Sequence, residues 1–257
     1  MPRRARQKSE SGIYHIILRG INRQNIFEDE EDNYRFLQTL MHYTEISGYE
    51  LYAYCLMGNH VHLLLRVDKE PLEQILRRVC GSYVYWYNRK YERIGNLFQD
   101  RFKSEPVEDD PYFLTVLRYI HQNPFKANLV ERNGEYKWSS YSAYMSGAMN
   151  KSKLVDLDFT LKLFDKDQNR AVKAFREFHN QVNDDDCLDI NDRYRITDQE
   201  AGEIIKSRFN LKSCQDMQKL DRKKRDASIK QLKEKYNLSI RQIERLTGIN
   251  RGIISRV

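Results

Sequence analysis

Two apolar runs, Tyr49 to Met57 and His60 to Val67, stand on either side of Gly58-Asn59. Glycine and asparagine tolerate the positive φ angles of a tight turn, so the pair predicts a β-hairpin whose strands lie side by side. The flanks then limit what the hairpin can join. Gly12-Ile-Tyr-His-Ile-Ile-Leu-Arg19 reads as a strand closed by Gly20. Asp29 to Ile46 carries a helical period, with Tyr34, Leu37, Leu40, Met41 and Thr44 on one side, and stops at Ser47-Gly48. Pro71 opens a long helix to about Arg93, Asn96 to Val107 is extended, and Asp110-Pro111 starts a helix that breaks near Pro124. The order β-α-β-β-α-β-α predicts an α+β fold, a sandwich of helices on an antiparallel central sheet.

Beyond this block, Trp138-Ser-Ser-Tyr141 is expected to pack back on the sheet. Met145 to Lys153 is small and polar, a linker by composition. A helical segment from Phe159 to Val182 precedes the acidic run Asp184-Asp185-Asp186. Asp221 to Tyr236 is a basic helix. Ser239-Ile-Arg-Gln242 has the form of a capping box opening a helix that ends at Thr247-Gly248, and Asn250 can cap a last segment, Arg251 to Val257. Helix, glycine turn and helix is the helix-turn-helix pattern. The expected division is therefore a domain at 1–148, a helical connector at 149–190 and a basic helical region at 191–257.

Charge supports that division. The chain has 44 Lys and Arg against 37 Asp and Glu, a net of +7. From Ile205 to Val257 there are 15 basic and 5 acidic residues, leaving 29 and 32 for the rest. The positive charge is thus terminal, as a polyanion-binding module would have it. Cys55, Cys80, Cys187 and Cys214 are scattered without a C-x-x-C pair, which argues against a zinc ribbon or disulfide scaffold and suits a reducing cytoplasm. No run of eighteen apolar residues occurs and no apolar stretch follows Met1, so neither a membrane span nor a secretory signal is expected.

The chemistry concentrates at Gly58-Asn-His-Val-His62. Residues two apart in a strand share a face, so His60 and His62 project together and can chelate one divalent ion. A pair of surface histidines is the plain alternative. In Leu117-Arg-Tyr-Ile-His-Gln-Asn-Pro124, Tyr119 and Asn123 lie one helical turn apart, while His121 points roughly 200° away from Tyr119. An amphipathic core tyrosine and a helix-ending asparagine would give the same spacing.

Three stretches together, Gly58-Asn-His-Val-His62, Asn96-Leu-Phe-Gln-Asp-Arg-Phe-Lys-Ser104 and Arg118-Tyr-Ile-His-Gln-Asn-Pro124, resemble the single-tyrosine HUH transposases, most of all the REP-associated branch. Tyr14-His-Ile-Ile-Leu-Arg-Gly20, Ile26-Phe27 and Trp138-Ser-Ser-Tyr141 are similar to that branch too, and the likeness runs from Pro2 to Tyr144. The resemblance implies an HUH, ferredoxin-like catalytic domain in which His60 and His62 bind Mg²⁺ or Mn²⁺. It also implies that Tyr119 is the nucleophile and that Asn123, where many relatives have glutamine, completes the metal site. It implies cleavage and rejoining of single-stranded or hairpin DNA through a 5′-phosphotyrosine, in a cytoplasmic, nucleoid-associated protein. Relatives include site-sharing homodimers and monomers.

Arg101, Lys103 and Arg118 are candidates to position phosphates, and Arg241, Arg245 and Arg251 are candidate DNA contacts of the terminal region. Surface charge explains each equally well. A competing reading makes the chain a non-catalytic regulator that binds DNA through the terminal helices. Another makes it a metal-dependent phosphoesterase that releases product to water.

Overall fold

The computed structural model describes residues 6–145, 154–189, 198–236 and 238–257, and divides the chain into two compact units, Met1–Ile190 and Asn191–Val257. The first unit follows the order expected from sequence: β1 (Ile13–Arg19), α1 (Glu30–Ser47), β2 (Glu50–Met57), β3 (His60–Arg66), α2 (Leu72–Lys90), β4 (Lys103–Pro106) and α3 (Asp110–Lys126). The four strands form one antiparallel sheet in the order β2-β3-β1-β4. Both faces are covered, since Ile16, Ile17, Val61, Leu63, Leu64 and Leu65 are all buried.

Local chemistry explains the element ends. Asp29 caps α1 in a reciprocal box with Asp32, and Gly48 closes it in the left-handed region at φ 68°. Asp109 caps α3 by accepting from the Tyr112 N–H. A register shift between Leu51 and Ala53 puts a bulge at Tyr52; beyond it Cys55 faces His62 and Met57 faces His60.

Several expectations are corrected. On α1 the inward residues are Asn33, Phe36 and Leu40, while Tyr34 and Met41 are exposed and Tyr34 stacks edge-on with Trp138 at 4.9 Å. Helix α3 does not break at Pro124 but runs on to Lys126. In the last turn the missing proline N–H removes one bond while the ring still fits the helical φ. The extended stretch Asn96 to Val107 holds only the short β4, with a single bridge from Phe98 to Gly20. The helix expected over Phe159 to Val182 is two: α5 (Leu157–Lys162) and α6 (Gln168–Asn180), the second capped by Asp167. Both belong to the first unit, where Leu161 and Phe175 join its core, so 149–190 is not a separate connector. Of the expected linker, 146–153 lies outside the described residues.

A buried chain of side chains fixes α3. His179 Nδ1 donates to the Phe175 carbonyl at 2.8 Å, so its Nε2 accepts from His121 Nδ1 at 3.0 Å. His121 Nε2 then meets Ser140 Oγ at 2.8 Å, and Ser140 Oγ accepts from the Tyr54 N–H of β2 at 2.9 Å. Trp138 and Ser140 also bond the β2 backbone, so the Trp138-Ser-Ser-Tyr141 stretch packs on the sheet as expected, and Tyr141 begins the short α4 (Tyr141–Met145).

The second unit has its own core of Ile205, Met217, Ile229, Leu232, Ile243 and Ile254. It is built from α7 (Asp198–Arg208), a 3-10 turn (Cys214–Lys219), α8 (Arg222–Glu234), α9 (Ile240–Thr247) and α10 (Arg251–Arg256). Ser239 caps α9, Gly248 ends it at φ 72°, and Asn250 caps α10. A side chain at Gly248 would collide with Gln218, whose amide donates to the Thr247 carbonyl. Among the described residues no helix is long and apolar enough to cross a membrane.

Burial pushes the pKa of both His121 and His179 down, the latter to about 3. Each regains an ordinary value of about 6.5 on unfolding, so their contribution is complete above that pH and is lost as pH falls toward 3. Urea denaturation should show stability declining below pH 6.5, by at most about 1.4 kcal/mol per pH unit for each imidazole. His179→Gln, which keeps an acceptor for His121, should shallow that decline; an unchanged pH slope would count against this account.

Candidate active site

The site begins with strand pairing. β1 lies between β3 and β4, with Ile17 opposite His62, Arg19 opposite His60 and His15 opposite Glu105. Opposed residues of an antiparallel pair share a face, so His15, Arg19, His60, His62 and Glu105 all project to one side. The alternation expected for His60 and His62 is present, with ring centroids 5.0 Å apart. Helix α3 brings Tyr119 over this face. Its ring centroid lies 5.8 Å from that of His62 and 5.9 Å from that of His15, both edge-on.

Hydrogen bonds orient both histidines. His60 Nδ1 donates to the Asn59 side-chain oxygen at 2.6 Å, leaving Nε2 as the ring's lone-pair nitrogen. His62 is fully buried; its Nδ1 meets His15 Nε2 at 3.1 Å, and its Nε2 has no hydrogen-bond partner. His15 Nδ1 in turn lies 2.8 Å from Glu105 Oε1, which also accepts from the Leu188 N–H at 3.0 Å. Burial opposes the Glu105 charge, but the bonds from His15 and Leu188 prevail and hold its carboxyl below the usual range. Burial, with Arg19 adding to it, lowers the pKa of His60 to about 4. Burial and the neighbouring rings take His62 lower still. Both are therefore neutral near pH 7, the form that ligates metal.

Tyr119 is almost fully buried and its hydroxyl makes no hydrogen bond of good geometry. Burial first, then the nearby Asp189 carboxylate, raise its pKa above that of a free phenol, while the Asn123 side chain opposes them. Lys126 sits 5.3 Å from the Tyr119 ring centroid. Asn123 is half-buried and its amide N–H bonds the Tyr119 carbonyl at 3.2 Å, leaving its oxygen as the atom suited to a cation. Among the described residues, no three His, Cys, Asp or Glu side chains are grouped to hold a metal. The donor set is two imidazoles and an amide. The bare, buried His62 Nε2 fits a divalent ion, because a buried nitrogen without a partner is otherwise costly.

The basic residues divide. Arg101 and Lys103 are exposed and line a shallow groove with Ile17 and Arg19 beside β1 and β4. Arg118 is not available in the same way. It is buried, forms a two-pronged salt bridge to Asp185 at 2.6 and 2.7 Å, and lies 4.0 Å over the Phe178 ring. In the second unit, Arg241 and Arg251 are exposed, whereas Arg245 is bridged to Asp198 at 2.6 Å on the surface. Sequence reading gave no role to His15 or Glu105. A histidine inside the apolar run of β1 was the available signal for the first; nothing local marked the second.

Comparison with known proteins follows the same lines. Residues 8–123 match the family described as IS200-like transposases. A Haemophilus influenzae protein named as a REP-associated tyrosine transposase is 27% identical over 119 residues, covering 41% of this chain and 64% of that relative. This chain thus spans less than two thirds of it. The solved structure of a REP-associated tyrosine transposase bound to a REP hairpin has a TM-score of 0.50 at 15% identity, covering 65% of this chain and 96% of the other. The stretch similar to the IS200-like transposases, residues 8–123, includes His60, His62, Tyr119 and Asn123.

Proposed function

We propose that this protein cleaves and rejoins single-stranded DNA through Tyr119, acting on hairpin-forming sequences. The observation that carries the reading is the Tyr119 ring 5.8 Å from His62, whose Nε2 is bare and buried. The family match and the REP hairpin held by the structural relative support the substrate class. His60 and His62 would hold Mg²⁺ or Mn²⁺ through Nε2, with Asn123 adding its amide oxygen. When bound, such an ion supplies Lewis-acid stabilisation of charge on the phosphate.

The residues then divide the work. Tyr119 Oη attacks phosphorus and loses its proton; the bond from phosphorus to the 3′ oxygen breaks, and that oxygen leaves as a 3′-hydroxyl once protonated. The 5′-phosphotyrosine conserves the bond energy, so a second 3′-hydroxyl can displace Tyr119 and reseal the strand. The raised pKa of Tyr119 means that the phenol, not the phenolate, rests in the site. Arg19, Arg101 and Lys103 line the groove suited to the strand's phosphates. The helices α9 and α10, joined through Gly248, follow the helix-turn-helix pattern, and the exposed Arg241 and Arg251 on them would meet duplex phosphates.

Tyr119→Phe should abolish the covalent protein–DNA adduct on a denaturing gel while circular dichroism and hairpin binding stay near wild type. Survival of the adduct would remove Tyr119 as nucleophile. Full binding with no adduct from the wild-type protein under any divalent ion would favour the regulator instead, and cleavage without adduct the phosphoesterase.

His60→Ala and His62→Ala should each lower cleavage below detection at neutral pH, and Asn123→Ala should cost less, because a neutral amide is the weakest of the three ligands. Single-turnover cleavage against Mn²⁺ concentration checks the ranking.

Removing the second unit after Ile190 should spare adduct formation on a preformed hairpin but weaken binding to duplex-bearing DNA. The cut belongs there and not after Asp184, because Asp185 pairs with buried Arg118. Each lost phosphate contact removes about 0.9 from the slope of log affinity against log salt on duplex DNA. An unchanged slope in a folded truncation would assign the unit another role.

A further inference from the structure

Behind His62, Glu105 and His15 form a line that no part of the cleavage step uses directly. Glu105 Oε1 lies 2.8 Å from His15 Nδ1, and His15 Nε2 lies 3.1 Å from His62 Nδ1. The line ends at His62 Nε2, which faces the site without a partner. We propose that Glu105 and His15 are positioning residues that set the tautomer of His62, placing its proton on Nδ1 and keeping the Nε2 lone pair open toward the site.

The polarity follows from the two ends. Glu105 Oε1 already accepts the Leu188 N–H, so it acts as an acceptor, and His15 Nδ1 must be the donor. With that proton on Nδ1, His15 turns its Nε2 toward His62 as the acceptor of the His62 Nδ1 proton. The reverse order would place a proton on His62 Nε2, where no acceptor lies within reach. An orphaned buried N–H is among the rarer and costlier defects of a folded protein. Because His15 is fully buried and sits two pairs along the ladder from His62, on the same face, the imidazole also gains a wall that fixes its ring, the two being nearly parallel at 23° with centroids 5.4 Å apart. His60 reaches the same state by a shorter route, donating Nδ1 to Asn59. The two rings therefore offer matching nitrogens, one set by a turn residue and the other by a strand pair. Partners of this kind raise ligand basicity and, when lost, weaken metal affinity by roughly 10- to 100-fold.

The metal part of this inference rests on the reading that His60 and His62 hold a divalent cation; the tautomer part does not. The experiment uses full-length protein with ¹⁵N-labelled histidine, without metal, and reads each ring nitrogen by long-range ¹H–¹⁵N correlation. His62 should show a protonated Nδ1 and a bare Nε2. Glu105→Gln can turn its amide to donate, so it should give mixed His62 tautomers and bind Mn²⁺ about tenfold more weakly by calorimetry. His15→Phe should weaken Mn²⁺ binding by roughly 10- to 100-fold. His62→Ala is the control for the reading itself: if it binds Mn²⁺ like the wild type, the cation is not held by this pair. If His62→Ala loses Mn²⁺ while Glu105→Gln and His15→Phe bind normally, the cation site stands and the positioning role is overturned. A protonated Nε2 on His62 in the wild-type spectrum overturns it as well. Should His15→Phe fail to fold, Glu105→Gln decides alone, since its partly exposed side chain keeps its size.

Discussion

The register of β1 is the constraint from which the site follows. This strand is paired on both edges, to β3 and to β4, and side chains alternate strictly between the faces of a sheet. A slip of one residue against β3 would set Leu18, not Ile17, opposite His62 and would turn the histidine pair and the β1 face away from each other. The apolar residues on the other face, Ile16, Leu18, Val61, Leu63 and Leu65, hold the register because a slip would bring His15 into their place. Core packing and site assembly are thus one decision. The helix above contributes the phenol, but the sheet determines what the phenol meets.

What could be seen in the sequence was local. A turn pair between apolar runs announced the hairpin, period-two spacing placed His60 and His62 on one face, and a helical turn put Tyr119 and Asn123 together. Each of these depends on residues within a few positions. What escaped depended on distance along the chain. Glu105 reaches His15 across ninety positions, and no spacing rule reaches that far. Arg118 looked like a free cation because its partner, Asp185, lies sixty-seven residues later. The boundary after α6 was missed for the same reason, since α6 joins the first core through contacts its own sequence does not specify. Pro124 misled in the opposite direction: its local rule is sound in a helix interior, and the last turn relaxes it.

The two units contrast in how they use charge. In the first, charged groups are largely committed: Lys90 to Asp29, Glu31 and Asp32, Arg118 to Asp185, and Glu105 to His15. In the second, Lys223, Arg241 and Arg251 stand at the surface above a small aliphatic core, and Arg222 and Lys224 make only long, exposed pairs with Asp226 and Asp221 at 3.8 Å. A surface arranged this way responds to salt, whereas committed buried pairs are screened far less. Ionic strength therefore bears mainly on the second unit's surface and little on the assembly around Tyr119.

The buried chain from His179 through His121 to Ser140 braces α3 on the side away from the site, about 200° around the helix from Tyr119. The Tyr119 phenol is consequently held at its depth by groups on the other side of the helix. Changes at α6 or at the Ser139-Ser140 corner therefore bear on the seating of Tyr119 through α3, without touching the sheet residues beneath it. The seating of that phenol thus has an adjusting screw at the back of the helix, remote from any residue that a search for reactive chemistry would single out.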